Sequence, residues 1–337
     1  MKILVTGGAG FIGSSFVRMA VRERWAERII NLDKLTYAGN LDNLRDIGQT
    51  ARYNFVHADI ADTEAVEGIF ASEAPDAVIH FAAESHVDRS IHSPAPAIHT
   101  NLNGTFTLLE AARKYKVARF VHISTDEVYG SIDPPDEADE TYPLRASSPY
   151  SASKAGSDLL ALSYYTTYKL NVSVTRASNN YGPYQFPEKL IPLMISNALE
   201  DKPLPVYGDG QQVRDWLYVE DHCRAIRAVL EKGASGEIYN IGGNCSLPNL
   251  EVIRRILKLT GKPETLVTRV ADRPGHDRRY ALTNQKLNRI IGWEPLMSFD
   301  QGLEVTIDWY RENHEWIERV KSGEYRLFYE LNYAQRG

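Results

Sequence analysis

Cysteine is nearly missing from this chain of 337 residues: Cys223 and Cys245 are its only two. That excludes a disulfide framework and leaves no thiolate pair at metal-ligand spacing. Cys223 falls in a helical pattern and reads as a small buried apolar residue. Long apolar runs are also missing, and no stretch reaches the roughly 18 residues that a bilayer span requires. Positive charge is not in excess: 38 Lys and Arg face 44 Asp and Glu, for a formal net charge of −6. That balance argues against nucleic acid or an anionic membrane as the main partner, although it leaves room for a basic pocket in one cleft. Internal repeats and low-complexity segments are absent too. The chain enters a strand-like run at Lys2-Ile3-Leu4-Val5 with no signal-peptide pattern before it, so a soluble cytoplasmic protein is expected.

The length allows two domains, or one large α/β unit with an attached lobe. Short apolar β runs at 2–6, 28–32, 53–57, 77–81, 119–124 and 172–176 alternate with helical patterns near 11–24, 63–73, 98–116 and 150–169. Such alternation predicts an α/β fold, a Rossmann-type doubly wound parallel sheet covered on both faces, with ligand at the carboxyl ends of the strands. Beyond about residue 178, loops rich in Pro, Gly and Tyr separate shorter elements, and a smaller mixed α/β C-terminal substrate lobe is expected. The division is 1–178 for the dinucleotide domain, with 217–241 returning to it, and 179–216 plus 242–330 for the lobe. The acidic stretch Asp133 to Glu140, with two prolines, reads as an exposed loop.

Gly7-Gly8-Ala9-Gly10-Phe11-Ile12-Gly13 lies between the first strand and the first helix, the context a dinucleotide-binding turn requires. Its glycines allow a tight turn and close approach of a pyrophosphate, which the helix N-terminus stabilises. Asp33 ends the second strand, 20 positions after Gly13. A carboxylate there binds both hydroxyls of an adenosine ribose and repels a 2′-phosphate, so NAD is favoured over NADP, with Lys34 as the opposing consideration. Asp59-Ile60 follows the third strand and suits the adenine edge, or equally a helix N-cap. Phe81-Ala82-Ala83 ends the fourth strand with small residues, where a cofactor can approach the backbone.

The fifth strand runs into Thr125-Asp126-Glu127. After a polar loop come Tyr150 and Lys154, one helical turn apart on one face. A cation beside a phenol favours the phenolate, so Tyr150 is a candidate base for a substrate hydroxyl, with Lys154 lowering its pKa. Asp126 and Glu127 add a second acid/base pair, more than simple alcohol oxidation needs. Without context such a pair reads as a helix cap.

The glycine turn, Asp33, Phe81-Ala82-Ala83 and Tyr150/Lys154 together resemble the extended short-chain dehydrogenase/reductase superfamily, whose members act mainly on nucleotide sugars. Longer blocks narrow the resemblance to the dTDP-glucose 4,6-dehydratase family: Leu35-Thr36-Tyr37-Ala38-Gly39-Asn40, Ala82 to Ser90, Ser124 to Gly130, Ser178 to Tyr184, Pro187 to Pro192 and Asp272 to Asp277. It runs from residue 1 to about 320, and the Thr-Asp-Glu triplet is its most specific part. The visible departure, a shorter segment between Glu127 and Tyr150 than some members carry, touches no catalytic position.

The resemblance implies NAD as a tightly held cofactor regenerated in each turnover, dTDP-glucose as substrate and a 4-keto-6-deoxy sugar nucleotide as product. The product would feed deoxysugar biosynthesis, of L-rhamnose or another sugar. Tyr150 would deprotonate the 4-hydroxyl, Thr125 bond the reacting oxygen, Glu127 remove the C5 proton, and Asp126 protonate the leaving 6-hydroxyl. By the same resemblance Leu35, Thr36, Ser85, Thr100 and Asn180 face the cofactor. Ser85, Asn179, Lys189, Leu190, Pro205, Tyr207, Arg214, Asn249, Asp272, Arg273 and His276 serve the sugar nucleotide. A surface ion pair or cap is the plain alternative for any one of these. A homodimer pairing the segments 101–116 and 150–169 in a four-helix bundle is implied as well. Competing readings are a UDP-sugar 4-epimerase, which needs neither Asp126 nor Glu127, a GDP-mannose 4,6-dehydratase, which Asp33 disfavours, and a non-catalytic NAD-sensing protein.

Overall fold

The computed structural model describes residues 1–47 and 50–321. Its strands are β1 (Lys2–Thr6), β2 (Arg28–Asp33), β3 (Tyr53–His57), β4 (Ala77–His80), β5 (Arg119–Thr125), β6 (Val172–Ala177), β7 (Asn179–Tyr181), β8 (Leu204–Tyr207), β9 (Val213–Tyr218), β10 (Ile238–Ile241), β11 (Ser246–Pro248) and β12 (Val267–Val270). The helices are α1 (Phe11–Glu23), α2 (Thr63–Glu73), α3 (Val87–His92), α4 (Ala95–Ala97), α5 (Thr105–Lys114), α6 (Pro149–Tyr168), α7 (Leu190–Leu199), α8 (Val219–Lys232), α9 (Asn249–Thr260), α10 (Gln285–Ile291), α11 (Phe299–Glu312) and α12 (His314–Val320).

Seven strands form one parallel sheet in the order β10-β6-β5-β4-β1-β2-β3. Alternate side chains of each strand face opposite layers, as a sheet buried on both sides requires. Ile3 and Val5 pack against Phe16, Val17 and Ala20 of α1 and Val219, Cys223 and Ile226 of α8. Leu4, with Ile30 and Val78, packs instead against Phe70 of α2, Leu108 of α5 and Ala161 of α6. Cys223 is fully buried, and burial pushes its thiol up to about 12, in keeping with an inert apolar role. The strand order reverses between β1 and β4, so the loops after these two strands open a crevice at the carboxyl edge.

The helical pattern at 98–116 is not one regular helix. Ile98–Gly104 is π-helical and only then does α5 begin. The wide turn lets Asn101 exchange bonds with the loop after β4: Glu84 N–H donates to Asn101 Oδ1 at 2.9 Å, and Asn101 Nδ2 donates to the Glu84 carbonyl at 3.0 Å. A second core joins β7, β8 and β9 to α7, α9, α11 and α12 through Ile195, Leu204, Trp216, Ile253, Leu303 and Trp316. The Asp133–Glu140 loop is mostly exposed, with Ala138 buried in an isolated bridge to Leu282.

Candidate active site

At the end of β1, Gly7 has φ +71°, and a Cβ on it would lie 2.6 Å from the Ala82 backbone nitrogen. A Cβ on Gly13 would lie 2.2 Å from the Gly7 carbonyl oxygen. The turn thus closes tightly against Phe81–Ala83, with the N-terminus of α1 facing outward. Asp33 accepts the N–H of Ala9 at 2.9 Å and that of Leu35 at 2.8 Å. Burial raises its pKa, and those two bonds oppose the rise. Lys34 turns away: its Nζ is 2.5 Å from Asp59 Oδ2. Burial raises the Asp59 carboxyl, yet the Lys34 bond, the Ala61 N–H and the charges of Lys34 and His99 together outweigh it and hold the group below its usual range.

Gly7, Gly10, Phe11, Ile12, Gly13, Asp33, Lys34, Thr36, Asp59, Ile60, Phe81, Ala82, Ala83, Ser85, Thr100 and Asn180 line one cleft, with Tyr150 and Lys154 at its inner end. Leu35 lies outside the lining, at φ +54°, where its backbone shapes the loop around Asp33. Asp33→Ser is expected to weaken NAD binding by about 10- to 100-fold, the loss of a charge-assisted bond, and to narrow the preference over NADP. Titrating cofactor-free protein with both dinucleotides checks this.

The cleft continues along β5 and α6. Ser148 caps α6 in a capping box with Ser151, and Pro149 occupies its first turn. That cap sets Tyr150 at the mouth of the helix, its N–H donating to Ser90 Oγ at 3.1 Å. Thr125 Oγ1 donates to Asp126 Oδ1 at 3.2 Å and accepts the Glu127 N–H at the same distance. Asp126 is 3% exposed, and its Oδ2 is buried with no hydrogen-bond partner among the described residues. Burial, then the Glu127 charge, pushes the Asp126 pKa well up. Burial also raises Glu127, but Arg273, Lys189 and Arg214 counter it. The environments therefore favour the neutral form more strongly at Asp126 than at Glu127, where three cations oppose burial.

One expectation reverses. Lys154 does not lower the Tyr150 pKa in the protein alone, because its Nζ donates to the Ile123 carbonyl at 2.7 Å. Burial and then the Glu127 charge push the phenol up, with Thr125 opposing. Lys154 itself is lowered from 10.5 to about 8 by burial, against the attraction of Asp158. Behind it lies a buried network in which Asp158 pairs with Arg176 at 2.9 Å and faces His122 at 3.4 Å.

A folded pKa below the unfolded one means the unfolded chain binds more protons between pH 8 and 10.5, so stability rises with pH across that window. Lys154→Met should remove that slope. Its stability relative to the wild type should fall by about 3 kcal/mol from pH 7.5 to 11, measured by denaturant unfolding.

Of the residues expected to serve the sugar nucleotide, Ser85, Thr125, Asn179, Lys189 and Leu190 line the same cleft. Lys189 Nζ donates to the Ser85 carbonyl at 2.8 Å, joining two segments 104 positions apart. Pro205, Tyr207, Arg214, Asn249, Asp272, Arg273 and His276 lie outside that lining. Arg273 and Tyr207 meet on Asp88, at 2.7 and 3.3 Å. His276 and Gln212 meet on Asp272, at 2.6 and 3.0 Å. Pro205 is in β8, and Asn249 opens α9 with its Oδ1 unbonded among the described residues. The Arg214 guanidinium bonds the Val213 and Asp277 carbonyls and covers the Tyr280 ring at 4.0 Å.

The cleft also holds residues not singled out above. Glu188, 5% exposed, lies 3.7 Å from both His86 Nε2 and Arg89 Nε, and burial raises it to about 7. His222 is fully buried, its Nδ1 2.8 Å from Asn180 Oδ1. A carboxylate beside Pro187 and Lys189 was a readable signal. His222 in an amphipathic helix was not.

A glycine turn with an acidic β2 terminus, a Tyr/Lys pair on α6 and a carboxylate pair just after β5 define a dinucleotide-dependent enzyme with two acid/base stations. A family model described as GDP-mannose 4,6 dehydratase matches residues 4–306. The dTDP-glucose 4,6-dehydratase of Salmonella typhimurium is 53% identical, with 100% of both chains covered. The dTDP-glucose 4,6-dehydratase 1 of Escherichia coli K12 is 52% identical over the same coverage. Among solved structures, the dTDP-glucose 4,6-dehydratase DesIV of Streptomyces venezuelae, with NAD and TYD bound, superposes with a TM-score of 0.93 at 51% identity, covering 95% of this chain and 100% of that one. A Thermus thermophilus UDP-glucose 4-epimerase complex with NAD gives 0.86 at 34% identity, covering 93% and 100%. The chain belongs to this 4,6-dehydratase family and, within it, to the dTDP-glucose 4,6-dehydratases.

Proposed function

We propose that the chain converts dTDP-glucose to dTDP-4-keto-6-deoxy-glucose and water, with NAD as its cofactor. The observation that carries this reading is Asp126: a buried carboxyl with an unbonded Oδ2, its pKa pushed up by burial and by Glu127 beside it, at the cleft wall that Tyr150 shares. Epimerisation at C4 gives such an acid nothing to do. The residues fit the cofactor, since the close-packed Gly7 and Gly13 leave backbone N–H groups for a pyrophosphate and Asp33 offers its carboxylate to ribose hydroxyls.

Held by the glycine turn and Asp33, NAD would supply a reversible hydride acceptor for the sugar. The chain's own groups move the protons. Tyr150 takes the 4-hydroxyl proton, and Thr125 bonds the oxygen that becomes the ketone. Glu127 removes the C5 proton, which the ketone has made acidic, while Asp126 protonates the 6-oxygen so that it leaves as water. Proton return to C5, with Tyr150 losing to solvent the proton it gained and Asp126 regaining one, completes a cycle whose net change is the loss of one water. Lys189, Arg214 and Arg273 supply cations suited to the diphosphate. Incubation with dTDP-glucose followed by alkali should give a product absorbing in the near ultraviolet; no such product sinks the reading.

We further propose a dinucleotide domain of 1–178 with 217–241, and a sugar-nucleotide lobe of 179–216 and 242–330. Pairing of β10 with β6 and packing of α8 on the sheet support the return. Residues 322–330 lie outside the described residues. No helix among the described residues is long and apolar enough to cross a membrane, and we propose a cytoplasmic homodimer. The exposed Phe106 (50%) and Leu159 (59%) on α5 and α6 support that pairing. Phe106→Glu with Leu159→Glu should yield a monomer by sedimentation; an unchanged mass places the interface elsewhere.

A further inference from the structure

The segment around Trp316 belongs to the last described helix, yet its indole bonds a residue that in turn holds the glycine turn near the start of the chain. Trp316 is 4% exposed, and its Nε1 donates to Asn43 Oδ1 at 2.9 Å, across 273 positions of sequence. Asn43, 2% exposed, passes the connection on: its Nδ2 donates to the Ala9 carbonyl at 2.9 Å. The same carbonyl accepts the Asn40 N–H at 3.0 Å. Ala9 is the centre of the glycine turn, and its N–H is already held by Asp33. Both polar groups of that residue are therefore tied down, one by the end of β2 and one through Asn43 by α12.

Orientation follows from donor and acceptor roles. An indole N–H only donates, so it fixes the Asn43 oxygen toward Trp316 and the Asn43 amino group toward Ala9. The Asn43 carbonyl is held in turn by Arg18 at 2.7 Å, and that guanidinium covers the Tyr184 ring at 4.0 Å. Arg319, one turn beyond Trp316, adds an ion pair to Asp42 at 2.6 Å. Trp316, Asn43 and Tyr184 line the same cleft as Gly10 and Asp33.

We propose that Trp316 is a positioning residue for cofactor retention: acting through Asn43, it holds the glycine turn in its binding conformation, so that dinucleotide release requires α12 to loosen. The inference rests on the NAD reading above and adds to it what sets the rate of release. A purely structural role is the alternative, since Trp316 also packs edge-on against Trp309 at 5.0 Å between ring centroids.

Trp316→Phe keeps an aromatic ring in that packing and removes the N–H. The test measures release of NAD from the purified holoenzyme, by rapid gel filtration and by chase with excess free dinucleotide, alongside the thermal midpoint. The expected result is release about tenfold faster, the loss of one buried hydrogen bond and the freeing of another, with occupancy restored by added NAD. A lower midpoint with wild-type release means Trp316 only packs, and overturns the proposal. Should that variant fail to fold, Arg319→Gln loosens the same helix at the surface, and wild-type release from it overturns the proposal equally. Wild-type protein that binds no NAD at all defeats the cofactor reading instead, so the two failures are told apart.

Discussion

Given dTDP-glucose, an Asp126→Asn, Glu127→Gln protein should reduce its bound NAD+ and then stop. Asparagine and glutamine keep the shape and hydrogen-bonding of the two side chains but can neither donate nor take up a proton at the required steps. General acid and general base contributions run to about 10²–10⁴-fold each, and groups that act in one step are not additive, so product formation should fall by at least the larger single loss. Oxidation should survive, because the Glu127 charge is one of the causes that raise the Tyr150 phenol, and neutralising it lets the phenol ionise more readily. The readout is NADH absorbance appearing on the enzyme with no 4-keto-6-deoxy product after quenching. Loss of reduction and dehydration together would show that the carboxylates also serve the first step, and the division of labour would be wrong. The single variants refine this. Asp126→Asn should retain exchange of the C5 hydrogen with solvent, whereas Glu127→Gln should abolish it.

Much of this site was legible in the residues because its signals are local. The glycine turn, Asp33 and the Thr-Asp-Glu triplet each lie within a few positions of a strand end, where the parallel sheet must present its loops, and Tyr150 and Lys154 sit one turn apart in the first half of one helix. The strand runs were legible for a related reason: residues such as Leu4 and Val5 are buried on opposite faces, so a continuous apolar run marks a doubly covered strand. What was not legible depends on distance or on sign. Trp316 meets Asn43 only through the tertiary fold, and His222 looks like any helix residue until Asn180 is placed against it. The sign of the Tyr150 shift was misread because i, i+4 spacing puts Lys154 on the right face but does not say where its ammonium points. The Ile123 carbonyl captures it. The π-helical turn at Ile98–Gly104 escaped because nothing in the apolar spacing separates 3.6 from a locally wider turn, whereas the bonds of Asn101 to Glu84 and Ser153 show what the widening achieves.

Tyr150→Phe should fail at the opposite point from the carboxylate variant. Phenylalanine keeps the ring that packs at the mouth of α6, where Tyr150 is 7% exposed, and the backbone bond to Ser90 does not depend on the side chain. Only the phenolic oxygen is lost, and with it the group placed to take the 4-hydroxyl proton. Without that transfer the hydride would have to leave a neutral alcohol, so reduction of bound NAD+ should slow by about 10²–10⁴-fold, and dehydration with it, since the C5 proton is not acidic until the ketone exists. Cofactor content should remain close to the wild type, because the turn, Asp33 and the α1 N-terminus are untouched. The pH profile separates base from mere contact. Ionisation of the raised phenol should make the wild-type rate of NAD+ reduction climb with pH, and the same climb should begin at lower pH in Glu127→Gln, where one cause of the raised pKa is gone. A Tyr150→Phe protein that reduces its cofactor at nearly the wild-type rate would assign the proton to a different acceptor in the cleft, and would leave the pair on α6 with a role in holding the dinucleotide alone.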